Sequence, residues 1–183
     1  MRIVGGKYRH RLISFPDDAL HTRPTKDRVR EAIFSALGDI SGYRVLDLYA
    51  GSGAMGLEAL SRGASRATFV DISILAIKAI KENVTSLKIP ENEYEIIRNK
   101  DVIAIESFKQ RGTQFDLVVL DPPYEEGQYE EIVCQLFRNN LLSENAIIVM
   151  EANRPIALTN NTYKKNKEYH YGDILVYIYW REL

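Results

Sequence analysis

The chain has 183 residues, 45% of them apolar and 27% charged, with a net charge of −1; this is the composition of one soluble domain with a sizeable core. No apolar run approaches the roughly 18 residues that span a bilayer, and the opening residues lack a signal-peptide core, so no membrane role is expected. One cysteine, Cys134, and three scattered histidines exclude an internal disulfide framework and offer no metal-ligand spacing, which suits a reducing cytoplasm.

The near-neutral total hides an asymmetry. Residues 1–30 carry eight Lys or Arg (Arg2, Lys7, Arg9, Arg11, Arg23, Lys26, Arg28, Arg30) against three acids, so they hold +5 and the remainder −6. A basic arm on an acidic body is an electrostatic footprint for a phosphate backbone. A solvated terminal face explains the charge equally well.

Residues 1–22 read as short extended segments broken at Gly5-Gly6 and Phe15-Pro16-Asp17-Asp18. Pro24-Thr25 opens a helix through Leu37, with Thr25 as N-cap and Val29, Ile33 and Leu37 as its apolar stripe. Strand and helix patterns then alternate. Strands are expected at Arg44–Tyr49, Arg66–Asp71, Glu93–Arg98, Phe115–Asp121 and Ala146–Glu151. Helices are expected at Ala54–Arg62, Ile74–Leu87, Val102–Lys109 and Tyr129–Asn139. Such alternation implies a parallel sheet with helices on both faces. Tyr163–Tyr171, Gly172-Asp173 and Ile174–Trp180 read as a hairpin that adds antiparallel strands to one edge. The expected fold is therefore α/β: a doubly wound, mostly parallel, seven-stranded Rossmann-like sheet with a C-terminal antiparallel hairpin. It forms one domain, residues 1–24 being a small basic extension and residues 25–183 the core.

Val45-Leu46-Asp47-Leu48-Tyr49-Ala50-Gly51-Ser52-Gly53-Ala54-Met55-Gly56 follows the first strand and opens a helix. Gly51-x-Gly53-x-x-Gly56 matches the dinucleotide fingerprint, with Asp71 twenty positions beyond Gly51 at the end of the next strand. A carboxylate there accepts from ribose hydroxyls and serves any adenosine-containing cofactor. Asp47 narrows the choice. It would repel a pyrophosphate but suits S-adenosylmethionine, whose ammonium and sulfonium are both cationic. Asp101, at the carboxyl edge, is placed to accept from an adenine amino group, to cap the helix beginning at Val102, or to do both.

The tetrapeptide Asp121-Pro122-Pro123-Tyr124 ends the apolar run Phe115–Leu120. Two prolines cannot extend a ladder and stiffen the backbone, and Pro122 keeps Asp121 out of the α region. The product is a rigid lip with a carboxylate, unpaired carbonyls and an aromatic face. Those groups suit a planar, amino-bearing ring: stacked on Tyr124, its NH2 hydrogens accepted by Asp121 and the Pro122 carbonyl.

With these residues assembled, the chain resembles the class I S-adenosylmethionine-dependent methyltransferases, on Asp47 through Gly56, Asp71, Asp101 and Asp121 through Tyr124. More narrowly it resembles the RsmD family of bacterial 16S rRNA guanine-N2 methyltransferases. That likeness rests on Arg2-Ile3-Val4-Gly5-Gly6, Lys7-Tyr8-Arg9, Arg23-Pro24-Thr25-Lys26-Asp27-Arg28-Val29-Arg30-Glu31-Ala32-Ile33-Phe34, Leu57 through Ala64, and Tyr171-Gly172-Asp173. Departures are small: Tyr49 stands where phenylalanine is common and Asp71 where glutamate is common.

The resemblance implies methylation of the exocyclic N2 amino group of a specific guanine in 16S rRNA, within the small ribosomal subunit or an assembly intermediate. A cytoplasmic location is expected from the single cysteine, and a monomer is the default where the sequence leaves the oligomeric state open. Catalytic roles fall to Asp121, Pro122, Pro123 and Tyr124. Cofactor contacts fall to Thr25, Asp47, Tyr49, Gly51, Ser52, Gly53, Asp71, Ile72 and Asp101, and RNA contacts to Arg2, Lys7, Arg9, Arg11 and Arg23. An adenine-N6 or other exocyclic-amine methyltransferase, or a silent RNA-binding assembly factor, stands as the alternative.

Overall fold

A computed structural model describes residues 1–16, 27–122, 129–156, 158 and 163–181. Among the described residues five α-helices alternate with the strands: α1 (Asp27–Leu37), β1 (Arg44–Leu48), α2 (Ala54–Ser61), β2 (Arg66–Asp71), α3 (Ile74–Leu87), β3 (Tyr94–Arg98), α4 (Asp101–Gln110), β4 (Phe115–Leu120), α5 (Tyr129–Arg138), β5 (Leu142–Ala152), β6 (Tyr163–Tyr171) and β7 (Ile174–Arg181). The strands form one sheet in the order β3-β2-β1-β4-β5-β7-β6. Every pair from β3 to β5 is parallel, while β7 runs antiparallel to both β5 and β6. The expected α/β architecture with a C-terminal hairpin is the one observed.

Strict alternation along the central strands explains the two covered faces. Val45, Leu117, Val119, Ile147 and Val149 point to one side and meet Val29, Ile33, Phe34, Leu57, Leu60, Ile80 and Val84 of α1, α2 and α3. Leu46, Leu48, Val118, Leu120, Ile148 and Met150 point to the other and meet Ala104, Ile105, Phe108, Ile132, Val133 and Leu136 of α4 and α5. Phe108 packs edge-on to Phe115, with ring centroids 5.1 Å apart.

Most boundaries agree with expectation to within a residue or two. β5 begins earlier, at Leu142, because Phe115 pairs with Leu142 across a register shift between Phe115 and Leu117. Ser143, Glu144 and Asn145 carry no apolar alternation that would have revealed this stretch. Helix α1 is described from Asp27; the expected start at Pro24-Thr25 lies outside the described residues. Residues 1–13 are only partly extended. A lone antiparallel bridge joins Arg2 to Leu12, and Gly6–Tyr8 form a single 3-10 turn.

Strand order reverses between β1 and β4: from β1 the chain winds outward to β2 and β3, from β4 to β5. A crevice at the carboxyl ends of β1 and β4 follows from that switch, and it is where such sheets bind ligands. Among the described residues no helix is long and apolar enough to cross a membrane.

Candidate active site

Carboxylates line this crevice, and the backbone accounts for their placement. Asp47 is on β1 and pairs across the sheet with Val119 of β4, while Val119 pairs with Val149 of β5. Asp121 lies two positions beyond Val119, and Glu151 two beyond Val149. Period-two alternation therefore directs Asp47, Asp121 and Glu151 to the same side of three adjacent strands.

Asp47 is buried, and its Oδ2 accepts a hydrogen bond from the Gly56 main-chain N–H at 2.9 Å. Burial pushes its pKa from 3.8 up to about 7; the Gly56 N–H opposes the rise and the Asp71 charge adds to it. Asp121 is held well above the usual carboxylate range by burial, then by the facing charges of Glu151 and Asp47. Glu151 is buried to 4% exposure. The hydroxyl of Tyr129 donates to its main-chain carbonyl at 2.6 Å, which pins the end of β5 to α5. Three carboxylates on the same side of adjacent strands, two of them raising the pKa of the third, favour a cation or a proton.

Two turns of backbone complete the cradle. Oδ2 of Asp71 accepts from the Gly51 N–H and Oδ1 from the Ser73 N–H, both at 2.8 Å, so this carboxylate fastens the loop as well as facing the crevice. The glycines differ in purpose. A Cβ on Gly51 would meet nothing within 4 Å, leaving open room over the loop. One on Gly56 would come within 2.3 Å of the Phe69 ring, so that glycine serves the packing of α2 on β2. Gly53 is the left-handed residue that turns the loop into α2, at φ +77°. Ser52 is buried, and its carbonyl accepts from Asn83 Nδ2 at 3.0 Å. Ile72, 58% exposed, follows Asp71 on the crevice rim.

Asp101 departs from one expectation. The helix N-cap is Lys100, with no side-chain cap, and Asp101 is the first helical residue. Its Oδ2 instead accepts from the Tyr49 hydroxyl at 2.5 Å. The capping alternative fails because the carboxylate reaches toward β1 rather than back over its own helix.

Of the sequence-nominated residues, the crevice brings together Asp47, Tyr49, Gly51, Ser52, Gly53, Asp71, Ile72, Asp101, Asp121 and Pro122. Pro123, Tyr124, Thr25 and Arg23 lie outside the described residues. The arm residues are elsewhere. Lys7 pairs with Glu93, just before β3, at 3.0 Å, and Arg11 donates to the Ser86 carbonyl near the end of α3 at 2.8 Å. Both lie toward the amino edge of the sheet. Arg2 pairs with Asp27 at 3.2 Å, and Arg9 is exposed.

A polar network that sequence reasoning missed fastens the arm. Glu58, fully buried, accepts from the Val4 and Gly5 N–H groups at 2.8 Å each and from Arg62 Nε at 2.7 Å. Fully buried Arg30 lies 3.5 Å from Glu58 and donates to Asp27 at 2.9 Å and to the Arg2 carbonyl. Asn83 accepts from the Ser14 N–H at 2.6 Å and donates to its carbonyl at 3.0 Å. One signal was available: all of α2 is buried, and a helix apolar on every side leaves Glu58 no route to water.

The comparisons with known proteins agree with this geometry. A family model described as "Conserved hypothetical protein 95" matches residues 1–180. The Escherichia coli (strain K12) protein named ribosomal RNA small subunit methyltransferase D is 37% identical over 153 residues, 83% of this chain and 74% of that one. Its Haemophilus influenzae namesake is 34% identical over 155 residues, covering 84% and 79%. The solved structure of yhhF from Escherichia coli superimposes with a TM-score of 0.84 at 33% identity, covering 100% of this chain and 98% of the other. The crevice, with its cation-favouring carboxylates and open glycine loop, fits S-adenosylmethionine, and the fold is that of the class I methyltransferases. The chain belongs to the conserved hypothetical protein 95 family, which is the RsmD family.

Proposed function

We propose that this chain transfers the methyl group of S-adenosylmethionine to the exocyclic N2 amino group of a guanine in 16S rRNA of the small ribosomal subunit. The observation that carries the reading is Asp121-Pro122 at the carboxyl end of β4, at the sheet's switch point and beside the loop that the Asp71 carboxylate fastens. The names of the relatives support rRNA as the substrate class.

When bound, the cofactor supplies an electrophilic methyl group on a cationic sulfur. Asp47 and Glu151 would offset that positive charge. Gly51 leaves space over the loop, Asp71 would hold the ribose, and exposed Ile72 would be available to a ring face. The guanine N2 lone pair is delocalised into its ring, so the amine is a weak nucleophile. Asp121 and the Pro122 carbonyl would accept its two hydrogens, drawing the nitrogen toward sp3 character and aiming a lone pair at the methyl carbon; as the new N–C bond replaces the S–C bond, the proton shed by the nitrogen would pass to Asp121 or to water. Catalysis is then chiefly positioning and electrostatics. In sequence, Pro123 and Tyr124 complete the lip and Tyr124 offers the stacking face. The base must leave its stack to arrive there, which favours a looped-out nucleotide.

The arm adds a constraint on the substrate. Lys7 and Arg11 sit toward the amino edge, a strand length of about 17–20 Å from the lip. RNA touching both must be folded and broad, which supports the small subunit or an assembly intermediate over a short oligonucleotide. A cytoplasmic monomer working on that particle is the simplest form of the reading.

The test is methyl transfer from labelled S-adenosylmethionine to small subunits lacking the modification, followed by nucleoside mass analysis. N2-methylguanosine confined to the small-subunit rRNA is expected. N6-methyladenosine would retain the site and overturn the base assignment; no methylated product despite cofactor binding would leave a silent RNA-binding factor.

A further inference from the structure

Tyr49 stands out on two independent grounds. It is a bulky residue in the left-handed region, at φ +69°, where side chains other than glycine, asparagine and aspartate are uncommon. Such a conformation persists only where the surroundings enforce it, and it concentrates at ligand-binding sites. Here the Tyr49 and Ala50 N–H groups both donate to the Val70 carbonyl at 3.0 Å, fixing the end of β1 against β2. The second ground is the hydroxyl, which spans 52 residues of sequence to reach Oδ2 of Asp101 at 2.5 Å. A phenylalanine would fill the same volume without making that bond.

The consequence is for the other oxygen. With Oδ2 engaged, the carboxylate cannot spin freely, and Oδ1 has no hydrogen bond among the described residues. Asp101 opens α4 beside the end of β3, and that end is tied to the ribose-side carboxylate's strand: the Asn99 N–H donates to the Asp71 carbonyl at 3.1 Å. Half-exposed Ile72 and Val102 flank this rim of the crevice. An acceptor fixed here, one strand along from Asp71, is placed for an exocyclic amino group on a ring whose sugar Asp71 holds.

We propose that Tyr49 is a positioning residue that, through its bond to Asp101, makes the crevice selective for a 6-amino purine over a 6-oxo purine. This rests on the reading of Asp101 as the adenine acceptor. The physical basis is an asymmetry of polar recognition. A fixed acceptor gains a hydrogen bond from an amino group but faces a carbonyl oxygen with no hydrogen to share, and the unpaired group costs more than the bond gains. A carboxylate free to rotate away would escape much of that penalty.

Calorimetric titration with S-adenosylhomocysteine and with its 6-oxo analogue S-inosylhomocysteine tests the proposal. The unaltered chain is expected to prefer the adenosyl compound by roughly 100-fold. Tyr49→Phe should lower that ratio about tenfold, chiefly by relieving the penalty on the 6-oxo compound and to a smaller extent by weakening the adenosyl compound. Equal weakening of both ligands, or an unchanged ratio, would reduce the bond to a brace between β1 and α4 and overturn the proposal. Asp101→Asn gives a sharper reading. The Tyr49 hydroxyl would hold the new amide's oxygen, turning its NH2 toward the ring and shifting the preference to the 6-oxo compound. Tyr49→Phe combined with Asp101→Asn should lose that shift, and a shift that persists would contradict the role of Tyr49. Asp101→Ala isolates the underlying reading: if it keeps the full preference for the adenosyl compound, Asp101 is not the adenine acceptor, whatever Tyr49 does.

Discussion

Two sets of carboxylates share this fold and are used in opposite ways. Asp71 and Glu58 each accept two main-chain N–H groups, so their charge fastens a loop in one case and the N-terminal arm in the other. Asp121 lies at the end of β4 with the charges of Glu151 and Asp47 pressing on it. Asp47 is intermediate: one N–H reaches it, and burial dominates. A carboxylate that holds backbone amides has its charge partly answered by those N–H dipoles. One that faces other carboxylates stays in demand of a cation or a proton, and that demand marks the end of the crevice proposed to be reactive.

Removing a fastening carboxylate should cost stability. Glu58→Ala strips the acceptor from Val4 and Gly5 and takes from buried Arg30 one of its charge partners; breaking a buried pair of this kind costs about 3–5 kcal/mol. Urea unfolding measures it, and a loss within experimental scatter would show that the network contributes little.

Asp47→Asn sharpens the intermediate case. Folding raises the Asp47 pKa from 3.8 to about 7, so between about pH 4 and pH 7 the folded state binds more protons than the unfolded chain. Stability from this group is present below the unfolded value and is lost as pH rises through the folded one, by roughly 4 kcal/mol at the limit. The amide keeps an acceptor for the Gly56 N–H but cannot titrate. Its unfolding free energy should therefore fall less than the parent's between pH 5 and pH 8, with a residual slope from Asp121. Identical slopes would contradict the placement of Asp47.

Asp71→Ala should act on binding more than on folding. It frees the Gly51 and Ser73 N–H groups and removes the proposed ribose contact, and a weakening of about 100-fold for S-adenosylhomocysteine is expected by calorimetry. The smallest effect belongs to the arm. Arg9→Ala with Arg11→Ala should weaken small-subunit binding a few-fold and make its logarithmic salt dependence shallower, by about one for each phosphate the arm no longer neutralises. Unchanged salt dependence would leave those residues as a solvated face.

The division between legible and illegible follows the same line. Strand and helix patterns fixed the sheet and its helices because Val45–Leu48 and Phe115–Leu120 are largely apolar runs bounded by turn residues and helices such as α1 and α3 carry an apolar stripe. The glycine loop, Asp71 and the Asp121 lip could be nominated from sequence because their chemistry is local to a strand end. Contacts that join distant segments were not. Nothing near Asp101 announces Tyr49, and nothing near Val4 announces Glu58, since each pair meets only after the β1–α2 unit has packed. Glu151 gave a faint signal, a lone carboxylate closing an apolar strand, whose meaning depends on the register that sets it beside Asp121.

The most direct test of the two-carboxylate account is Asp121→Ala, with S-adenosylmethionine affinity measured by calorimetry and single-turnover methyl transfer measured on small subunits. The account predicts affinity within a few-fold of the parent and transfer reduced by about 10³-fold or more. Retained turnover, or a loss of affinity as large as the loss of turnover, would contradict it.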